Sequence, residues 1–194
     1  MNDSANREGS HILDVAHSWK RERPDLELSD FLLAIYLMRL GRVLDDGYDR
    51  MCRERFSISG ADVRVLFALR RAGKPYARRP TDLFKALLVT SGAMTKQVDR
   101  LSKFGFVERL DDPGYSGGFL IRLTAKGLKV ANSATEMLTK HSPIAPGVAA
   151  LTNAERVAGQ KFVEGLLLRL EKDSSQRSAK EKKARTRRAS RSKS

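Results

Sequence analysis

A chain of 194 residues has room for one folded domain with appendages, and 37 Lys and Arg against 23 Asp and Glu leave it a net charge of +14. That excess draws it to polyanions such as nucleic acid, while a lone Cys52 excludes an internal disulfide framework and fits a reducing compartment. No window approaches the run of about 20 apolar residues that spans a membrane, and residues 1–9 hold no apolar signal core, so a cytoplasmic, nucleoid-associated protein with no membrane partner is expected.

Residues 1–9 read as a disordered N-terminus. Ile12, Leu13, Val15, Ala16 and Trp19 recur at helical spacing and predict a helix from Ser10 to Arg23, closed by Pro24, within an N-terminal segment 10–28. A long helix follows from Ser29 to Arg53. Ser29 and Asp30 offer N-cap chemistry, and Leu33, Leu37, Leu40 and Leu44 return every three or four residues. Ser59-Gly60-Ala61-Asp62 has the form of a capping box opening a helix that ends near Gly73, with Pro75 just beyond.

Pro80-Thr81-Asp82 starts a short helix to about Leu88, and Thr90-Ser91 caps another that runs to Phe104 and stops at Gly105. Two short helices around a tight turn form a helix-turn-helix, whose second member is the candidate reader of a DNA groove. On it Met94, Val98 and Leu101 share one face; Lys96, Arg100 and Lys103 take the opposite one. Lys and Arg reach phosphates, Arg also grips a guanine edge, and Ser91, Thr95 and the helix amides add donors. Gln97, a further candidate DNA contact, lies on the flank towards the apolar stripe, where an inward polar contact is also open to it.

The period then changes. Val107–Leu110 and Phe119–Leu123 alternate as strands, and the Pro/Gly-rich stretch between them makes a hairpin, or wing. Arg109 and Arg122 sit on its strands. Its loop holds Asp111 and Asp112 but no Lys or Arg, so contact there is expected through Tyr115, Ser116 and backbone amides. Thr124 caps a helix over 125–140, and Thr152-Asn153-Ala154-Glu155 opens a last one to about Glu171. The fold class is therefore mainly α (α+β): a winged helix-turn-helix over 29–171, with flanking dimerisation helices and an extra N-terminal helix. Residues 172–194 carry ten Lys/Arg, two Asp/Glu and no Leu, Ile, Val, Met or aromatic residue, and read as a disordered basic tail that strengthens DNA affinity.

The stretch from Leu83 to Gly127 resembles the MarR family of transcriptional regulators. The resemblance is carried by Val89-Thr90-Ser91-Gly92-Ala93-Met94-Thr95, Val98-Asp99-Arg100-Leu101, Gly105-Phe106-Val107-Glu108-Arg109 and Leu123-Thr124-Ala125-Lys126-Gly127. Trp19-Lys20-Arg21-Glu22-Arg23-Pro24-Asp25-Leu26 and Leu69-Arg70-Arg71-Ala72-Gly73 are similar to its PecS and urate-responsive branch, which has an extra N-terminal helix. The resemblance implies a homodimer held by the terminal helices on pseudo-palindromic double-stranded DNA, a repressor released by an anionic, often aromatic, ligand. It implies a ligand site at Trp19, Arg64, Gln97 and Arg109. Arg64 stands where the branch carries an acid and Gln97 where it carries an arginine, which turns the expected ligand towards an aromatic carboxylate gripped by Arg64 and Arg109 beside the Trp19 ring.

No cofactor and no metal are expected. His11, His17 and His141 are scattered, one cysteine makes no thiolate site, and no Gly-rich phosphate loop appears, so the chain does not read as an enzyme. Two other readings remain open. One is an architectural DNA binder driven by the tail and blind to ligand. The other is a thiol redox-sensing regulator in which Arg50, Arg53 and Arg55 lower the pKa of Cys52.

Overall fold

The computed structural model describes the backbone of residues 14–191 and the side chains of residues 14–174; the expected N-terminal disorder and the first turn of the first helix lie outside the described residues. The chain divides into two compact units between Pro143 and Ile144.

In the first unit, helix α1 covers residues 14–22 and ends before Pro24 as expected. Trp19 sets its ring edge-on to Phe31, with centroids 5.2 Å apart. Helix α2 is Ser29–Phe56, and its start differs from expectation. Neither Ser29 nor Asp30 caps it. Glu27 does so from outside, its Oε1 accepting the Ser29 backbone N–H at 2.9 Å and the Ser29 hydroxyl as well. A longer carboxylate reaches a free N–H of the first turn as well as a short cap residue does. The helix runs past Arg53 to Phe56 because Ser57 takes a left-handed conformation (φ 57°), from which its N–H donates to the Arg53 carbonyl.

Helix α3, Gly60–Arg70, is the hub of the core. Val63, Val65, Leu66 and Leu69 are fully buried and meet Leu83, Met94, Leu101, Ile121, Ala131 and Ala134. Each such leucine contributes roughly 2 kcal/mol of transfer free energy. Ser59 caps the helix, its Oγ accepting the Asp62 N–H at 3.1 Å. The expected return arm of the capping box is absent, since Asp62 is engaged elsewhere.

Strand β1, Ala77–Arg78, was not foreseen: two residues show no period. It exists because a neighbouring strand offers an open edge. With β2 (Val107–Asp111) and β3 (Phe119–Leu123) it makes an antiparallel sheet in the order β1-β3-β2. Ala77 pairs with Arg122 and Arg78 with Ile121; Glu108 pairs with Arg122 and Arg109 with Ile121. Helices α4 (Pro80–Ala86) and α5 (Ser91–Lys103) stand between β1 and β2, and α6 (Ala125–Lys140) follows β3. The hydroxyl of Thr124 caps α6 through the Gly127 N–H at 3.1 Å and itself donates to the Gly105 carbonyl at 2.7 Å. Gly127 is obligatory there, because a Cβ would lie 1.9 Å from the Phe106 carbonyl oxygen.

The second unit holds α7 (Ala145–Val148) and α8 (Asn153–Arg191). Here the capping box is complete: Thr152 N–H donates to Glu155 Oε2 at 2.8 Å, and Glu155 N–H to the Thr152 hydroxyl at 3.3 Å. Helix α8 does not stop at Glu171 but continues to Arg191. Lack of apolar side chains forbids packing, not helix. Residues 172–191 contain neither Pro nor Gly and are rich in Lys and Arg, with three Ala among them, and they extend a helix already nucleated.

Candidate nucleic-acid interface

Helices α4 and α5 meet in a turn closed by the Val89 N–H on the Phe84 carbonyl at 3.1 Å. Leu87 and Val89 pack against the core. Leu88, between them, is forced outward at φ 53° and is 82 % exposed. Thr90 then caps α5, accepting the Ala93 N–H at 3.2 Å. Met94, Val98 and Leu101 are buried as their spacing requires, while Ser91, Thr95, Lys96 and Lys103 are exposed. The Thr95 hydroxyl donates to the Ser91 carbonyl at 3.0 Å, leaving its lone pairs available to a donor.

Two of the expected DNA-contacting residues of α5 are engaged or enclosed within the protein. Gln97 is 7 % exposed, with no partner for its Oε1 among the described residues, so it belongs to the core side and cannot touch a duplex. It lies three residues after Met94 and four before Leu101, inside the apolar stripe rather than beside it. Arg100 turns back to Asp62 at the start of α3, with Nη2 and Nε at 2.7 and 3.2 Å from its two carboxylate oxygens. The Asp62 side chain is only 3 % exposed, and it raises the pKa of Arg100 above the ordinary guanidinium value. This pair spans 38 positions of sequence, so helix periodicity had no means of finding it.

On the wing, Tyr115 and Ser116 are exposed at the tip. Arg109 pairs with Asp99 at 2.7 Å and lies 5.1 Å over the Phe119 ring; Arg122 pairs with Glu108 at 2.7 Å across the strands. Both are half-exposed and retain donors, yet their charges are already matched. Asp112 is not the repulsive tip residue that the sequence implies. Its carboxylate is buried, accepts the Gly114 N–H at 2.9 Å and is gripped by Arg79. Arg79, missed by the sequence reading, holds Asp112 below the usual carboxylate range, assisted by Gly114. The available signal was a pair of adjacent arginines, Arg78-Arg79, ahead of the helix-turn-helix.

Trp19, Arg64, Gln97 and Arg109 share no hydrogen bond, ion pair or ring contact among the described residues. Arg64 pairs with Asp45 and lies 5.1 Å over the Tyr48 ring. It lines a cleft of about 370 Å³ with Gly41, Leu44, Asp45, Tyr48 and Phe67. Cys52 is fully buried, and burial pushes its thiol up rather than down. The neighbouring arginines do not make it a thiolate: Arg53 is committed to Asp49 at 2.6 Å. Burial thus speaks against the redox-sensor alternative.

Apolar side chains are left exposed in both units. Phe31, Leu33, Met38, Leu40 and Val43 lie along the first half of α2. In the second unit, Ile144, Val148, Leu151, Val163 and Leu167 line a groove of about 810 Å³. No helix among the described residues is long and apolar enough to cross a membrane.

The model of the MarR family matches residues 56–114 of the chain. The chain is 30% identical over 125 residues to the HTH-type transcriptional regulator PecS of Dickeya dadantii, covering 64% of this chain and 75% of that protein. To the multiple antibiotic resistance protein MarR of Escherichia coli it is 34% identical over 107 residues, 54% of this chain and 72% of that one. Among solved structures, a mutant of the Escherichia coli MarR protein complexed with operator DNA superposes with a TM-score of 0.58 at 29% identity, over 71% of this chain and 97% of that one. The transcriptional regulator BldR of Sulfolobus solfataricus shares the fold, with a TM-score of 0.63 over 73% of this chain and 96% of that one at 21% identity.

Proposed function

Because the chain belongs to the MarR family of transcriptional regulators, we propose that it binds pseudo-palindromic operator DNA as a homodimer, one α5 in each of two successive major grooves, and represses until a small anionic aromatic molecule releases it. The observation that carries this is the two-faced α5. Its apolar stripe is sealed in the core while Ser91, Thr95, Lys96 and Lys103 face outward from a capped N-terminus. The crystal of the Escherichia coli MarR mutant with operator DNA supports the same docking for this chain. Exposed apolar residues on α2 and α8 support the dimer, since a lone chain would leave them in water. The two half-sites then lie about 10 bp apart centre to centre, or a multiple of that.

Support for the ligand comes from the cleft at Arg64. Tyr48 and Phe67 offer aromatic faces and Arg64 a guanidinium that an entering carboxylate takes from Asp45. Trp19 and Arg109 belong to this reading through the family resemblance alone. Footprinting on the promoter region beside the chain's own gene, with and without aromatic acids, tests the whole. Protection of a two-fold site that an aromatic acid lifts is the expected result; absence of any protected site sinks it. Titration calorimetry on wild type, Trp19→Ala and Arg64→Ala separates the ligand residues, and equal heats remove the residue concerned.

A further inference from the structure

We infer that Arg79 is the phosphate-binding cation of the wing, supplied by the segment between β1 and α4 because loop 111–118 has none of its own. The inference rests on the operator-binding reading above. Asp112 stands in that loop with its side chain only 4 % exposed, an uncommon place for a carboxylate unless it is paired. What it pairs with is Arg79, through Nε and through Nη2 at 3.3 Å from Oδ1, while the Gly114 N–H occupies the same Oδ1 at 2.9 Å. One buried carboxylate thus shapes the turn and fixes a guanidinium against it.

The fit is close. A Cβ built on Gly114 would lie 3.1 Å from Arg79 Nη2, so the guanidinium rests on the backbone of the loop itself. Yet Arg79 is 47 % exposed, and Asp112 uses only two of its five N–H donors. The other three have no acceptor among the described residues. Arg79 borders a hollow of about 470 Å³ whose rim includes Thr81, Tyr115 and Phe119.

A fork held from behind by a carboxylate is pre-oriented, so less rotamer freedom is lost when a phosphate oxygen meets its outer edge. Asp112 also cancels the long-range field of Arg79. The contribution of Arg79 is therefore a directed hydrogen bond to one phosphate per half-site rather than general attraction. This separates it from Lys96 and Lys103, which have no ion-pair partner among the described residues and act mainly through the salt dependence of binding.

The test uses the full chain and an operator obtained by selection from random duplexes. Phosphates flanking each half-site are replaced one at a time by neutral methylphosphonates, and affinities are measured for wild type and Arg79→Gln. One flanking phosphate per half-site should be found whose neutralisation weakens wild type by about tenfold, the scale of one charge-assisted hydrogen bond, while Arg79→Gln does not respond to it. Arg79→Gln should bind the unmodified operator about tenfold more weakly with an almost unchanged salt slope. Should the glutamine variant unfold, Arg79→Lys keeps the charge facing Asp112 but loses the fork, and its response to the same phosphate should shrink at least threefold. Equal responses of wild type and variant at every flanking phosphate overturn the inference while leaving operator binding intact. Failure to select any duplex overturns both.

Discussion

At Asp62 a nearly inaccessible carboxylate matches the charge of a reader-helix arginine, and the consequence is testable at a single atom's cost. Asp62→Asn keeps the Ser59 cap, which uses only the Asp62 backbone N–H, but releases Arg100. Stability should fall by about 1 kcal/mol, modest because half of Arg100 is already in water, as read from urea unfolding. Affinity for random DNA should rise, up to about tenfold at 0.1 M salt, because one more cation becomes free for phosphate. A reader helix on which Arg100 already touched DNA would show the opposite change. Asp112 yields a pH prediction. Arg79, with the Gly114 N–H, depresses its folded pKa below the ordinary carboxylate value, so its contribution is complete at neutral pH. That contribution is lost as pH falls below about 4, through the folded value. The amide resonances of loop 111–118 should change in that window for wild type, and Asp112→Asn should resemble the acid state already at neutral pH.

Elements are decided by junctions as much as by periods. Leu88 occupies a left-handed conformation between two core-facing neighbours, which costs a non-glycine residue about 1 kcal/mol. Leu88→Gly should recover most of it, less the added freedom of the unfolded chain, and raise the urea midpoint. Gly127→Ala is the converse: its methyl would collide with the Phe106 carbonyl where β2 begins and α6 starts, and a loss above about 2 kcal/mol is expected by the same measurement. At this scale much was legible. The Met94, Val98 and Leu101 stripe, the Thr90, Thr124 and Thr152 caps and the two wing strands follow from spacing and side-chain chemistry. Strand β1 was not legible, because two residues acquire extended pairing only when β3 offers its edge. The inward turn of Gln97 was legible in part, since its spacing from Met94 and Leu101 places it in the apolar stripe; how completely the core closes over it was not.

Across the whole molecule, the unpaired apolar faces and the basic C-terminus act on different observables. Light scattering should give twice the chain mass at micromolar concentration, and Leu167→Glu with Leu168→Glu on α8 should halve it, because charges replace exposed leucines of the contact surface. Deleting residues 172–194 removes ten Lys/Arg against two Asp/Glu. Operator preference should survive while overall affinity drops on the order of tenfold or more and the salt slope becomes shallower. An architectural binder would instead lose nearly all its binding with the tail.

Residue order alone dictates the helix-turn-helix, its hairpin and the basic excess, because local period, capping and charge are properties of neighbouring residues. Which cations remain available is a different matter. Arg100 and Arg79 look alike in the sequence as solvated arginines, and each is positioned by a buried carboxylate distant in the chain: Asp62 holds one beside the start of α3, and Asp112 holds the other at the wing. Burial of those two acids exists only once the core has closed, so that choice belongs to the tertiary structure.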